Sequence, residues 1–297
     1  MVTGRILTGV ASNSEPADEV VARLTGLAVE SAGHSASGLA EVTLADGDVV
    51  LVKRGIGAKA ALAESSGLRW LADAQAIRIP RMRGSDADWL VIDRVLTTRP
   101  SIPVAEQFGR ELASLHASGA PAFGAPPPGG PRDAWIGPVP MANDPGSDWP
   151  DWYARCRVLP YVRSVRNDGL ITEGEVLALE RVCARLPELV PPIAAPARLH
   201  GDLWNGNVLW GADGHPWLID PAAHGGHPET DLAMLHLFGC PHLDRVLAGY
   251  REVAPLEDGW RDRVGLHQLF PLLVHAIQYG RGYAQQALDV ARISESR

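Results

Sequence analysis

Three polar residues stand out for their type and spacing: Asp202, Asn207 five positions on, and Asp220 at the end of the short apolar run Trp217-Leu218-Ile219. A carboxylate, an amide and a second carboxylate on a loop–strand–loop layout suit phosphoryl transfer. The first carboxylate accepts the proton of an attacking hydroxyl, while the amide oxygen and the second carboxylate are hard ligands for Mg²⁺ on phosphates. Singly, Asp and Asn beside Gly are more often turn formers; together they point to chemistry. Upstream, Lys53 ends the apolar run Val49-Val50-Leu51-Val52, and Glu64 is the acidic residue of the next helical pattern that can hold it by ion pairing. The turn Gly33-His34-Ser35-Ala36-Ser37-Gly38 lies between two strand-like stretches. Its backbone N–H groups can cradle phosphates, with Lys53 reaching them as a compact charge, although such a turn alone is more often a plain hairpin.

The elements that must position these residues divide in two. Residues 18–24 read as a short helix, and strand-like stretches follow at 27–32, 40–44, 49–53, 80–83 and 89–93. Ala45-Asp46-Gly47-Asp48 marks a hairpin, and a helical pattern over 58–74 interrupts the strands. This is an antiparallel sheet carrying a helix. From Val104 the period changes to that of a helix, with Val104, Phe108, Leu112 and Leu115 on one face. Residues 120–150 are rich in Pro and Gly, and the sequence leaves open whether they are ordered. Helical patterns return at 152–166 and 173–186, a loop-rich core spans 196–229, and helices fill the remainder. The expected class is α+β: a sheet-rich lobe over 1–96, a hinge near 93–100, and a larger, mostly helical lobe over 97–297.

Composition excludes several classes. The 297 residues carry 27 Lys+Arg against 35 Asp+Glu, a net charge of −8, and 46% are hydrophobic. That apolar share belongs to a folded chain, and the acidic balance without a basic run argues against nucleic acid or a membrane surface as partner. No apolar run reaches the roughly 20 residues of a spanning helix. Cys156, Cys183 and Cys240 have no metal-type spacing and fit a reducing cytoplasm. Lys53 and Lys59 are the only lysines, so a lysine ending a buried strand is a notable placement.

The run Leu199-His200-Gly201-Asp202-Leu203-Trp204-Asn205-Gly206-Asn207 resembles the catalytic loop of the fructosamine/ketosamine-3-kinases, a branch of the aminoglycoside-phosphotransferase and protein-kinase-like superfamily. Asp220-Pro221-Ala222, the stretch from Gly226 to Met234, Leu237-Phe238-Gly239, Trp135-Ile136-Gly137 and the Trp149/Trp152 segment fit the same branch, so the likeness runs from about Gly33 to Ala284. The resemblance implies a bilobal protein-kinase-like fold with ATP in the cleft. Gly33, Ser35, Ser37, Gly38, Lys53 and Glu64 would serve the phosphates, and backbone groups around Asp93 and Val95 the adenine. Asp202 would be the catalytic base and Asn207 and Asp220 the Mg²⁺ ligands. Trp204 and His224 would face the substrate, with His200 and Asp231 bracing the loop. The implied reaction moves the γ-phosphate of ATP to the 3-hydroxyl of a glycated amine, free or protein-bound, and so leads to deglycation; a monomer is the default expectation.

Departures and competitors are specific. His34 stands where some relatives carry a Cys, so no redox switch is expected there, and Ala32-Gly33-His34 replaces a glycine run common in bacterial relatives. His224 and Gly225 replace tyrosines often found after Asp-Pro-Ala, a change that bears on substrate preference. A related aminoglycoside, choline or homoserine-type kinase is the main alternative. A non-catalytic kinase-fold scaffold is disfavoured because Lys53, Asp202, Asn207 and Asp220 are all present. A metallohydrolase built on His215, His224 and His227 lacks a recognised ligand spacing.

Overall fold

A computed structural model of the chain describes residues 15–33, 38–193 and 195–295. Its first part is a five-stranded antiparallel sheet of order β1-β2-β3-β5-β4, formed by β1 (Val29–Ala32), β2 (Leu39–Leu44), β3 (Val49–Arg54), β4 (Met82–Ser85) and β5 (Trp89–Asp93). The period-2 alternation of β3 decides which side chain goes where. Val50 and Val52 are fully buried with Val42, Leu44 and Val91 against Val20 and Val21 of α1 (Ala17–Thr25). Leu51 and Lys53 therefore face the other side, where α2 (Ala60–Asp73) packs Leu68 against Leu90 and Ile92. Strand β4 begins two residues later than its sequence pattern suggests. The Asp86 carboxylate accepts the N–H groups of Asp88 and Trp89, both at 2.8 Å, and so fixes the turn into β5.

Beyond the link at 94–101, α3 (Ile102–Ala117) opens the helical part. The Pro/Gly-rich segment is ordered around a hairpin of β6 (Asp133–Ile136) and β7 (Val139–Ala142). The hairpin is held because Ala134, Ile136, Val139 and Met141 insert into the main apolar core. The helix expected at 152–166 is broken up: α4 (Trp149–Tyr153) runs through a π-helical turn, Ala154–Val158, into α5 (Leu159–Asn167). Next, α6 (Glu173–Leu189) starts at a capping box in which Thr172 and Glu175 satisfy each other's backbone N–H.

Short strands then build the loop-rich centre. Strands β8 (Ala197–Leu199) and β11 (His224–Gly226) pair antiparallel, as do β9 (Val208–Trp210) and β10 (Pro216–Leu218). This arrangement brings the loop 200–207 against the loop 219–223. Helices α7 (Pro228–Leu237), α8 (Leu243–Val253), α9 (Trp260–Tyr279) and α10 (Arg281–Glu295) complete the chain. Among the described residues, no helix is long and apolar enough to cross a membrane.

Candidate active site

The loop after β8 is fixed from beneath by Asp231, in the first turn of α7. Its carboxylate accepts the backbone N–H of His200 at 2.8 Å and of Gly201 at 3.0 Å. A third contact comes from His116 Nε2 of α3, at 3.1 Å, and His116 Nδ1 in turn meets the Tyr250 hydroxyl at 2.9 Å. Burial alone would raise the Asp231 pKa, but His116 and the two peptide donors outweigh it and hold the carboxyl below its ordinary value. His200 accepts the Asp202 N–H on Nδ1, at 3.3 Å, so its Nε2–H donates to the Ile219 carbonyl, at 2.8 Å. Burial lowers the pKa of this ring, which stays neutral and ties the two loops together. Gly201 is obligatory at this crossing: its φ is +83°, and a Cβ there would lie 2.1 Å from the Ala222 carbonyl oxygen.

Asp202 and Asn207 form one unit. Asn207 closes a 3₁₀ turn, Asn205–Asn207, and its Nδ2 donates to the Asp202 carbonyl at 2.8 Å and to the Asp202 carboxylate at 3.2 Å. That commitment leaves the amide oxygen as the free ligand. Burial pushes the Asp202 carboxyl up to about 7, against the lowering effect of Asn207. Asp220 holds a left-handed φ of +52°, uncommon for a residue with a side chain and typical of strain kept at a functional position.

Lys53 closes the constellation from the sheet side. Its Nζ lies 2.9 Å from Glu64 of α2 and 3.0 Å from Asp220 across the cleft. Burial would lower its pKa, yet the two carboxylates raise it, so the ammonium is charged. Burial pushes the Glu64 carboxyl up to about 7 against the pull of Lys53. The cleft, of about 400 Å³, is lined here by Lys53, Glu64, Asp202, Asn207 and Asp220. Two carboxylates and an amide oxygen on these elements fit a hard divalent cation.

The other expected residues are distributed as follows. Gly33 and Gly38 flank the glycine turn, with Gly33 N–H bonded to Glu41 O at 2.8 Å and Gly38 O accepting Arg54 N–H at 3.1 Å. Ser35 and Ser37 lie outside the described residues. Leu39, which follows Gly38, is the register partner of Lys53, so the turn ends beside the lysine. The Asp93 side chain pairs with Arg83, and its neighbour Arg94 donates its N–H to Val49 O at 3.1 Å. Val95 makes no backbone hydrogen bond among the described residues, which leaves its N–H and C=O open, but neither it nor Asp93, Gly33 or Gly38 lines this cleft. Trp204 stands 41% exposed at the cleft rim.

His224 does not belong with them. It is 3% exposed, with Nδ1 against the Ala222 carbonyl at 2.9 Å and its ring tilted over Trp152, and it does not line the cleft. Pairing of β11 with β8 turns the side chain inward, and burial pushes its pKa down to about 3. His215, His224 and His227 do not form a common metal site. Among the described residues, the group with metal-like spacing is His227, Glu229 and His267. There Arg263 already contacts both Glu229 oxygens, at 2.9 and 2.5 Å.

Sequence reasoning missed the far wall of the cleft, where Asn143, His275, Gln278 and Tyr279 line it beside Trp135. The i, i+3, i+4 spacing of His275, Gln278 and Tyr279 on α9 was the available signal. Trp135 reaches the sheet part directly, donating Nε1–H to Ala58 O at 3.2 Å.

Comparison with known proteins places the chain in a family. The sequence profile of the fructosamine kinase family matches residues 49–293. A Synechocystis protein named "Probable ketoamine kinase" is 33% identical over 234 residues, covering 77% of each chain. Mouse ketosamine-3-kinase is 35% identical over 160 residues, 52% of this chain and 50% of that one. The crystal structure of a candidate fructosamine-3-kinase from Thermobifida fusca superposes with a TM-score of 0.87 at 45% identity, covering 94% of this chain and 98% of that one. A choline kinase from Streptococcus pneumoniae, at 15% identity and TM-score 0.60, covering 94% and 98%, shares the fold alone. The bilobal fold is thus that of the aminoglycoside-phosphotransferase-like kinases, and the chain, a phosphotransferase, belongs to the fructosamine kinase family.

Proposed function

We propose that the chain transfers the γ-phosphate of ATP to the 3-hydroxyl of a ketosamine, the product of a sugar condensing with an amine. The observation that carries the reading is the Lys53 bridge, 2.9 Å to Glu64 and 3.0 Å to Asp220, which joins the sheet to the loops bearing Asp202 and Asn207. Nucleotide would lie between residues 1–96 and 97–297, with Lys53 on its phosphates and the open backbone groups of Val95 toward adenine. Asp202 takes the proton from the acceptor hydroxyl as that oxygen bonds to the γ-phosphorus and the bond to the β-phosphate oxygen breaks, releasing ADP. Asn207 and Asp220 would hold Mg²⁺, which when bound neutralises phosphate charge. Most of the rate comes from alignment and charge stabilisation, with the base adding about 10²–10⁴-fold. The resulting 3-phosphate decomposes and frees the amine, which amounts to deglycation.

The acceptor side favours a ketosamine over a polycation. The carboxylates lining the cleft are Glu64, Asp202 and Asp220, grouped around Lys53 and Asn207, whereas the rest of the lining carries Trp135, Trp204 and uncharged polar groups. The test is ATP turnover against fructosyl-lysine, ribulosyl-lysine, an aminoglycoside and choline, with the phosphorylated position mapped. Turnover with a ketosamine and phosphate on its 3-oxygen is expected; turnover only with choline or an aminoglycoside overturns the reading.

A further inference from the structure

One polar atom in the far wall has no use inside the protein. Asn143 follows β7, lines the cleft, and is 1% exposed. Its Oδ1 accepts a hydrogen bond from Arg157 Nη2 at 2.7 Å, while its Nδ2 is buried and has no acceptor among the described residues. The amide cannot be turned over, because that would set an NH₂ group against a guanidinium that only donates. The donor is therefore fixed in direction by its neighbour.

The neighbour is itself unusual. Arg157 is 1% exposed and lies in the π-helical turn Ala154–Val158. Its guanidinium stacks over Trp152, 4.7 Å to the ring centroid, and Nη1 donates to the carbonyl of Ala142, the residue before Asn143, at 2.7 Å. Among the described residues no carboxylate forms an ion pair with it, and its partners are carbonyl oxygens, an amide oxygen and aromatic rings. Burial lowers its pKa to about 10, which leaves it charged at neutral pH. A buried cation without a counter-charge is costly, and so is an orphaned amide donor. π-turns within α-helices recur at functional sites. The cation also polarises the amide it holds, making Nδ2 a stronger donor than a free asparagine.

We propose that Asn143 is a specificity residue of the acceptor site, its Nδ2 donating to a hydroxyl or carbonyl oxygen of the sugar chain, with Arg157 as the positioning residue that aims it. The inference rests on the ketosamine reading above. The ligand group is an oxygen acceptor, since the atom that Asn143 offers is an amide N–H donor.

Asn143→Asp is the decisive variant. It keeps the acceptor atom for Arg157 and the side-chain shape but replaces the donor with a second acceptor. A purely structural role predicts that this change is harmless or stabilising, because the buried guanidinium gains a counter-charge. The proposal predicts normal or raised Tm, an unchanged KM for ATP, and a KM for the ketosamine raised about tenfold or more. Asn143→Ser and a series of single-deoxy ketosamines complete the test. The analogue lacking the partner hydroxyl should bind wild type and both variants alike, while the parent compound does not. Ketosamine KM within about twofold of wild type in Asn143→Asp, or a rise in the ATP KM instead, overturns the proposal. Wild-type enzyme silent on every ketosamine overturns the underlying reading, and this one with it.

Discussion

Replacing Asp231 by Asn separates the geometry of the catalytic loop from nucleotide binding. The native carboxylate is 1% exposed and receives three donors: the His200 N–H at 2.8 Å, the Gly201 N–H at 3.0 Å and His116 Nε2 at 3.1 Å. An amide of the same shape accepts on one side only and presents an NH₂ group to a donor on the other. One charge-assisted hydrogen bond disappears, about 1.5–3 kcal/mol, and one buried N–H is left unpaired, about 1–3 kcal/mol more. Part of that strain is relieved by shifting Gly201 and Asp202, which is where activity is lost. A residual destabilisation of about 2 kcal/mol lowers Tm by about 3 °C for a chain of this size. Misplacing the base by about 1 Å costs on the order of 10²-fold in kcat. Lys53, Glu64 and Asp220 are left in place, so the ATP dissociation constant should stay within about twofold of wild type. Thermal unfolding, calorimetric titration of nucleotide and steady-state kinetics below the variant's Tm measure the three quantities. Wild-type kcat, or ATP affinity lost in step with kcat, refutes the reasoning.

Asp202→Asn should cut kcat by about 10²–10⁴-fold while sparing ATP affinity, and substantial residual turnover removes Asp202 from the role of base. Its carboxyl, pushed to about 7 by burial, lies above the unfolded value, so the folded form holds its proton more tightly and stability falls as pH rises between the two. Asp202→Asn should therefore raise Tm more at pH 8 than at pH 5, and wild-type turnover should climb as pH rises through about 7; a flat difference in Tm or a flat rate profile contradicts this. Lys53→Ala should weaken ATP binding by about 10–100-fold, and Lys53→Arg should not restore it, because a planar fork does not fit between Glu64 and Asp220; rescue by Arg in a nucleotide titration speaks against the geometry. Chelation of divalent cations should reduce ATP affinity itself, since Lys53 stands against three carboxylates in the described lining and bare phosphates add like charge. Equal ATP affinity with and without EDTA counts against Asn207 and Asp220 as ligands.

The grouping of Lys53, Glu64, Asp202, Asn207 and Asp220 was legible because most of it is local. Asp202 and Asn207 sit on one loop, and their hydrogen bonds at 2.8 and 3.2 Å follow from a spacing of five residues. Lys53 was legible because strand alternation fixes its face, and Glu64 because it is the acidic residue in the first turns of the helix packed on that face. The buried Asp231–His116–Tyr250 chain was half legible: Asp231 as a brace came from resemblance, but nothing in the spacing joins residues 116, 231 and 250. Two expectations met physics that local pattern does not contain. The π-turn at Ala154–Val158 gains no signature from helical periodicity, since it adds a residue without changing composition. The inward turn of His224 depends on the β8–β11 register, which links positions 25 residues apart.

The proposed acceptor wall is the opposite case. Its residues come from the β6–β7 hairpin, from Trp204 and from the C-terminal turns of α9, segments that meet only through the core. No spacing rule connects Trp135 or Asn143 with Gln278. A motif therefore tells which bond is made, while packing decides which molecule presents the oxygen. The two halves are also mechanically separable: Asp202 hangs from Asp231 and His200, whereas Asn143 hangs from Arg157 and the π-turn. Substitutions in the hairpin or α9 can change the acceptor without disturbing the bonds that hold the base. The same separation explains why an acidic net charge argued against nucleic acid yet left the substrate undecided. In the proposed reading, selectivity would rest on a few uncharged donors and ring faces, which a charge count cannot register.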